Sequence, residues 1–119
     1  MQRVIMKSKI HRATVTRAAI DFEGSCGIAP ELMRAADMVA GEQVYVVNAT
    51  NGSRAVTYVI EAAPGEISLN GAMAHLGSAG DVVILITYAH MDESELRDFT
   101  PTIVRVDADN RVREQAAIA

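Results

Sequence analysis

Asn51-Gly52 lies between two runs of β-branched and aromatic residues, Val44-Tyr45-Val46-Val47 and Val56-Thr57-Tyr58-Val59-Ile60. Asn-Gly is the dipeptide that most readily takes the left-handed backbone of a tight antiparallel turn. This segment therefore closes as a β-hairpin and commits the centre of the chain to sheet. The flanks repeat the theme. Residues 4–16 are rich in β-branched side chains and partly alternate, which predicts one long or bent strand. Pro64-Gly65 makes a turn before a short strand at 67–69, Gly80-Asp81 precedes a buried strand at 82–87, and 102–106 reads as the last strand. Residues 111–119 read as a loosely held tail.

Helical signals are few. Pro30 suits a first turn, and Leu32, Met33 and Ala36 fall on one face of a helix over 30–38 that Gly41 ends. Residues 71–75 allow a single helical turn, and Asp92 with Glu95 forms a capping-box pattern. Many short strands with two or three short helices predict a mainly β fold, a small closed barrel that leaves no exposed edges. One domain over residues 1–119 is expected at this length.

Composition removes several function classes. Half the residues are hydrophobic, mainly Val, Ile and Ala, and 22% are charged, so disorder is not expected. No run approaches the roughly 18 apolar residues of a membrane span, and the first residues lack the apolar core of a signal peptide. A single cysteine makes no intrachain disulfide, which suits a reducing compartment, with the cytoplasm as the default. The net charge of −4, without a basic run, argues against nucleic acid as a partner. Three scattered histidines and no CxxC or HExxH spacing give no metal site.

Chemistry is concentrated at Glu23-Gly24-Ser25-Cys26. Glycine leaves the Gly24 carbonyl unhindered and accepts strained backbone. The Ser25 hydroxyl can attack that carbonyl, turn the amide into an ester and, after elimination and hydrolysis, leave an N-terminal pyruvoyl ketone. Such a ketone does the work of a carbonyl cofactor. As a bare dipeptide, Gly-Ser is equally a loop.

Other residues offer binding groups. Arg54 and Tyr58 leave one face of a strand and Thr57 the other, so one site using all three needs a bulge, a strand end or a subunit interface. Arg54 can grip a carboxylate and Tyr58 can donate a proton. Lys9 and His11 share a strand face, where Lys9 adds positive potential and His11 can orient an anion. Around Asn70-Gly71-Ala72-Met73-Ala74-His75, small residues permit close approach to backbone N–H groups. Read without context, each is also an ordinary surface, turn or packing residue. Cys26 has no base partner in sequence and is assigned no catalytic role.

Taken together, these segments resemble the pyruvoyl-dependent aspartate decarboxylases nearly end to end. The resemblance is carried by Lys9-Ile10-His11-Arg12-Ala13-Thr14-Val15-Thr16, by Glu23-Gly24-Ser25-Cys26, and by Asn51-Gly52-Ser53-Arg54 through Thr57-Tyr58. Asn70-Gly71-Ala72, Ala74-His75 and Gly80-Asp81-Val82-Val83-Ile84 complete it. It implies a double-psi β-barrel, a homotetramer, and self-cleavage between Gly24 and Ser25 into a 1–24 β chain and a 25–119 α chain. It also implies decarboxylation of L-aspartate to β-alanine through a Schiff base, on the way to pantothenate and coenzyme A. By position, Ser25 becomes the pyruvoyl group and Tyr58 the proton donor. Thr57, Asn70 and Gly71-Ala72-Met73 contact substrate, while Arg54, Lys9 and His11 face its charge. Phe22 replaces a usual tyrosine, Asp21 a usual histidine and Met73 a common alanine, and the turn at Pro64-Gly65 is short. The first two changes bear on the rate of maturation and on the need for a helper protein. The rival readings are a non-catalytic barrel that binds or assembles with Ser25 uncleaved and, more remotely, a hydrolase using Cys26.

Overall fold

The long first strand forms as the alternation requires, and it bends where the alternation breaks. In the computed structural model, which describes residues 1–117, β1 spans Arg3–Thr14. Ser8, Ile10 and Ala13 point inward. The inward spacing changes from two to three because the register against β7 (Val82–Met91) slips between Ile10 and Ala13, where Arg12 takes φ 63°. β2 (Arg17–Ala19), β3 (Ser25–Ile28) and α1 (Pro30–Ala35) follow. Ser25 and Cys26 open a buried strand.

The helix stops at Ala35, short of the predicted 38. Asp37 adopts φ 52°, and the Met38 N–H reaches back to the Met33 carbonyl at 2.8 Å, a left-handed stop that needs no glycine. The hairpin is β4 (Gln43–Asn48) and β5 (Arg54–Glu61). Its connection is a longer loop than the two-residue turn expected, with Gly52 at φ 80°.

β6 (Ile67–Asn70) leads into a 3₁₀ turn (Gly71–His75), and β7 runs on to Met91, past the predicted 87. α2 (Glu93–Leu96) carries the full capping box of Asp92 and Glu95. After β8 (Thr102–Val106), the expected loose tail is a strand: β9 (Val112–Ala117) pairs antiparallel with β8. Asn110 makes this turn, at φ 60° and almost fully buried. Residues 118 and 119 of the predicted tail lie outside the described residues.

The strands run β2-β6-β3-β5-β4-β7-β1-β8-β9 in one nine-stranded sheet. Three pairs, β1 with β8, β2 with β6 and β3 with β5, are parallel within an otherwise antiparallel order. Leu69 near one end of that order and Val104 near the other share a single core with Ile10, Ile28, Val59 and Leu85. The sheet therefore curls round its own apolar face, as expected of a small mainly β barrel. No helix among the described residues is long and apolar enough to cross a membrane.

Candidate functional site

Asn70 is the hinge of the site. In β6 it pairs with Ala19 of the parallel strand β2 on one side and with Ser25 of the antiparallel strand β3 on the other. The five residues from Ile20 to Gly24 must therefore leave and rejoin the sheet at the same level. They arch over Gly71. Gly71 takes φ 65°, and a Cβ there would stand 2.6 Å from the Gly24 nitrogen and 2.8 Å from the Phe22 oxygen. Glycine is required at 71 twice over, for its backbone angle and for the room it leaves the arch.

Ser25 is buried at the foot of this arch. Its hydroxyl donates to the Glu23 carbonyl at 3.0 Å, and Asn70 Nδ2 donates to Ser25 Oγ at 3.1 Å. The same amide reaches Ser68 Oγ at 3.3 Å. Ser68 was not anticipated from the sequence. Its partner in register is Gly27, where a Cβ would lie 2.1 Å from Ser68 Oγ, so that glycine makes room for the hydroxyl. Cys26, next in β3, is fully buried, and burial pushes its thiol up to about 12. A thiol so placed supplies no thiolate near neutral pH, which removes the hydrolase reading.

β5 runs parallel along the other side of β3, with Cys26 opposite Val59. Continued back by one residue, this register brings Tyr58 alongside Ser25. The alternation holds as expected: Arg54 and Tyr58 are exposed, and Thr57 between them is half-buried. Ala72 is exposed while the Met73 side chain enters the core, so Met73 offers only its backbone to a ligand.

Arg54 and Lys9 meet in a cavity of about 430 Å³, walled by Tyr45, Tyr88, Ile84 and Ile86. The tyrosines stand edge to face, 5.0 Å between centroids at 77°. They were missed because they come from β4 and β7, and only sheet register brings them together. Ser25 does not line this cavity. His11, expected beside Lys9, opens instead into a different cleft, with Arg12 and Arg105. The bulge at Arg12 and the pairing of β1 with β8 account for the separation.

The loop before Arg54 is fastened from within. Asn48 Oδ1 accepts the Thr50 and Asn51 N–H groups at 2.9 and 3.1 Å. The Leu76 carbonyl, just past the 3₁₀ turn, accepts from Asn48, Asn51 and Ser53 at 2.9–3.1 Å. Asn51 and Ser53 thus tie the start of β5 to the turn that carries Gly71, Ala72 and Met73.

A family model described as aspartate decarboxylase matches residues 1–113. The chain is 54% identical over 114 residues to the aspartate 1-decarboxylase of Mycolicibacterium smegmatis, covering 94% of this chain and 84% of that protein. It is likewise 54% identical over 114 residues to the aspartate 1-decarboxylase of Myxococcus xanthus, covering 94% and 88%.

Proposed function

Because the chain belongs to the aspartate decarboxylase family, we propose that it converts L-aspartate to β-alanine and CO₂ on a pyruvoyl group made from Ser25, a step toward pantothenate and coenzyme A. The observation that carries this reading is the arch from Ile20 to Gly24, pinned at both ends to Asn70 and seated on Gly71. It presents the Gly24–Ser25 bond beside a hydroxyl already held by Asn70. Attack of Ser25 Oγ on the Gly24 carbonyl forms a C–O bond and breaks the C–N bond. Elimination then frees the Gly24 carboxylate, and water releases ammonia to leave the ketone. In this reading Thr57, half-buried on the strand that runs beside β3, assists that shift.

The residues present suit a pyruvoyl group at this position: a buried strand start, an amide donor in Asn70, and a glycine that leaves room above it. Such a ketone, held at position 25 beside Asn70, would supply an electrophilic carbonyl for the substrate amine and an electron sink for loss of CO₂. The chain's own side chains do the rest. Arg54 and Lys9 receive the two carboxylates, Arg54 with its planar fork. Tyr45, Tyr88, Ile84 and Ile86 keep water from those ion pairs. The Tyr58 hydroxyl delivers a proton to the carbon that loses CO₂.

A homotetramer is part of the proposal. Ser25 and the Lys9–Arg54 cavity are not one pocket within a chain, and Val4, Tyr45, Val56, Tyr58 and Tyr88 leave apolar surface exposed. Such surface suits an interface between copies, across which the two half-sites can meet. We place the enzyme in the cytoplasm. Asp21 and Phe22 lie on the arch itself, so a maturation helper protein would act there.

Intact mass tests the reading. Mature protein should give a 1–24 chain and a 25–119 chain whose N-terminus resists Edman degradation, and Ser25→Ala should stay one chain without activity. A free serine amine at residue 25 would mean plain hydrolysis and would sink the cofactor. Purified precursor that cleaves alone over time removes the helper.

A further inference from the structure

The cleft into which His11 opens is unused by this mechanism. It measures about 500 Å³ and lies where β1, β7, β8 and the turn into β9 meet. Arg12, Arg105 and Arg113 line it against one carboxylate, Asp107, in a chain whose net charge is −4. That carboxylate is occupied: Asp107 Oδ1 accepts the Asp109 and Arg111 N–H groups at 2.9 and 3.0 Å. Arg105 meets Glu114 at 3.3 Å at the exposed rim. Arg12 and Arg113 make no direct ion pair among the described residues, although the charge of Arg113 also acts on Asp107.

Two further observations point to a ligand. Arg12 is held at φ 63°, a conformation that arginine adopts at a cost and that tends to mark functional positions. His11 Nδ1 is shielded from solvent and has no hydrogen-bond partner among the described residues. With its proton on Nδ1, this shielded nitrogen is a donor that, beside the guanidinium groups of Arg12 and Arg113, suits an anionic acceptor. The same surroundings hold the His11 pKa below its ordinary value, through burial first and then through Lys9, Arg105 and Arg12.

We propose that this cleft binds a phosphate monoester, its phosphate held by Arg12 and Arg113 with His11 Nδ1, and its organic group along Val82, Val106 and Ala108. A carboxylate offers two oxygens and satisfies one guanidinium fork. A phosphate offers three and can meet two forks and an imidazole together. The volume exceeds what a bare phosphate fills, and the three apolar residues give the remainder a surface. The site is separate from the Lys9–Arg54 cavity, with which it shares no lining residue.

The test is calorimetric titration of the mature enzyme with adenosine 5′-monophosphate, with adenosine as the control lacking phosphate. Saturable binding of the monophosphate alone is expected. It should weaken about tenfold or more in Arg113→Glu and in Arg12→Gly, each of which removes a charge-assisted contact. Glycine suits the left-handed backbone at 12, so Arg12→Gly should still fold. Arg113→Glu should keep the kcat and KM for aspartate. By NMR, the His11 pKa should rise on binding, since a dianion offsets the nearby cations. Absence of saturable binding up to about 10 mM, equal affinity in both variants, an unmoved His11 pKa, or displacement of the monophosphate by succinate would each overturn the assignment. The first three outcomes leave the decarboxylase reading untouched, because none is read through activity.

Discussion

Gly71 concentrates the demands of the site in one residue. An added methyl would meet the Gly24 backbone at 2.6 Å and would also suffer φ 65°. Gly71→Ala should cost on the order of 1–3 kcal/mol in stability and should slow self-cleavage by displacing the arch, seen as persistent uncut chain by mass. Normal cleavage and stability in Gly71→Ala would show that the arch does not depend on that contact. Arg54 acts later. Arg54→Lys keeps the charge and loses the fork, so it should cleave fully yet lose roughly 1.5–3 kcal/mol of substrate interaction, on the order of tenfold or more in kcat/KM. Unchanged aspartate kinetics would remove Arg54 from the site. Tyr58→Phe should also cleave normally and then lose about 10²–10⁴-fold in kcat. Native turnover in that variant would assign the proton to another group. The sequence exposed these residues through spacing and family pattern. It did not expose Ser68, Tyr45 or Tyr88, because hydroxyls and aromatic rings on strands are common and only register brings them to the site.

Elements with a local cause were the legible ones. α2 is written in Asp92 and Glu95, β6 follows its Pro-Gly turn, and the β4–β5 hairpin follows from Asn51-Gly52 and its flanks. β2 and β9 were missed because neither is defined locally. Three residues of β2 are strand only because β6 lies beside them, and β9 is strand only because Asn110 turns the chain. Asn110 Oδ1 accepts the Thr14 N–H at 2.7 Å, and its Nδ2 donates to the Thr14 and Gly65 carbonyls at 2.8 and 3.0 Å. Those partners are distant in sequence, so nothing near position 110 announces them. Asn110→Ala strands three backbone groups and strains a left-handed position. A loss of about 2–4 kcal/mol is expected, read as a lower urea midpoint. A midpoint equal to wild type would mean that solvent replaces all three bonds.

Across the whole molecule, three aspartates among the described residues contribute to the response to acid. Asp81 is held below the usual carboxylate range by Asn48 and then the Ser78 N–H. Asp92 is held there by Ser94 and then Glu95, and Asp107 first by the Arg111 N–H. In each case the unfolded chain takes up its proton first as pH falls. The stability these groups contribute is therefore fully present above about pH 4 and is lost as pH drops through their lower folded-state values. Circular dichroism should show urea midpoints level between about pH 7 and 5 and falling below about 4. Asp81→Asn should flatten part of that fall, and an unchanged slope would exclude Asp81.

The pairing of β6 with both β2 and β3 has a consequence for the life history of the protein. If the bond after Gly24 is cut as proposed, the two pieces stay paired to the same strand, one through Ala19 and the other from Ser25, and β1 remains laced between β7 and β8. Such a cut would leave the fold in place and change how it can be regained. An uncut chain unfolds and refolds as one body, whereas the cut protein, once melted, must find its missing piece by diffusion. Its recovery becomes second order in concentration, and its lost N-terminal segment cannot be replaced by rejoining the bond. On the proposed maturation, each molecule would fold freely only once, before it becomes an enzyme, and would afterwards live on the kinetic persistence of a shape it can no longer easily rebuild.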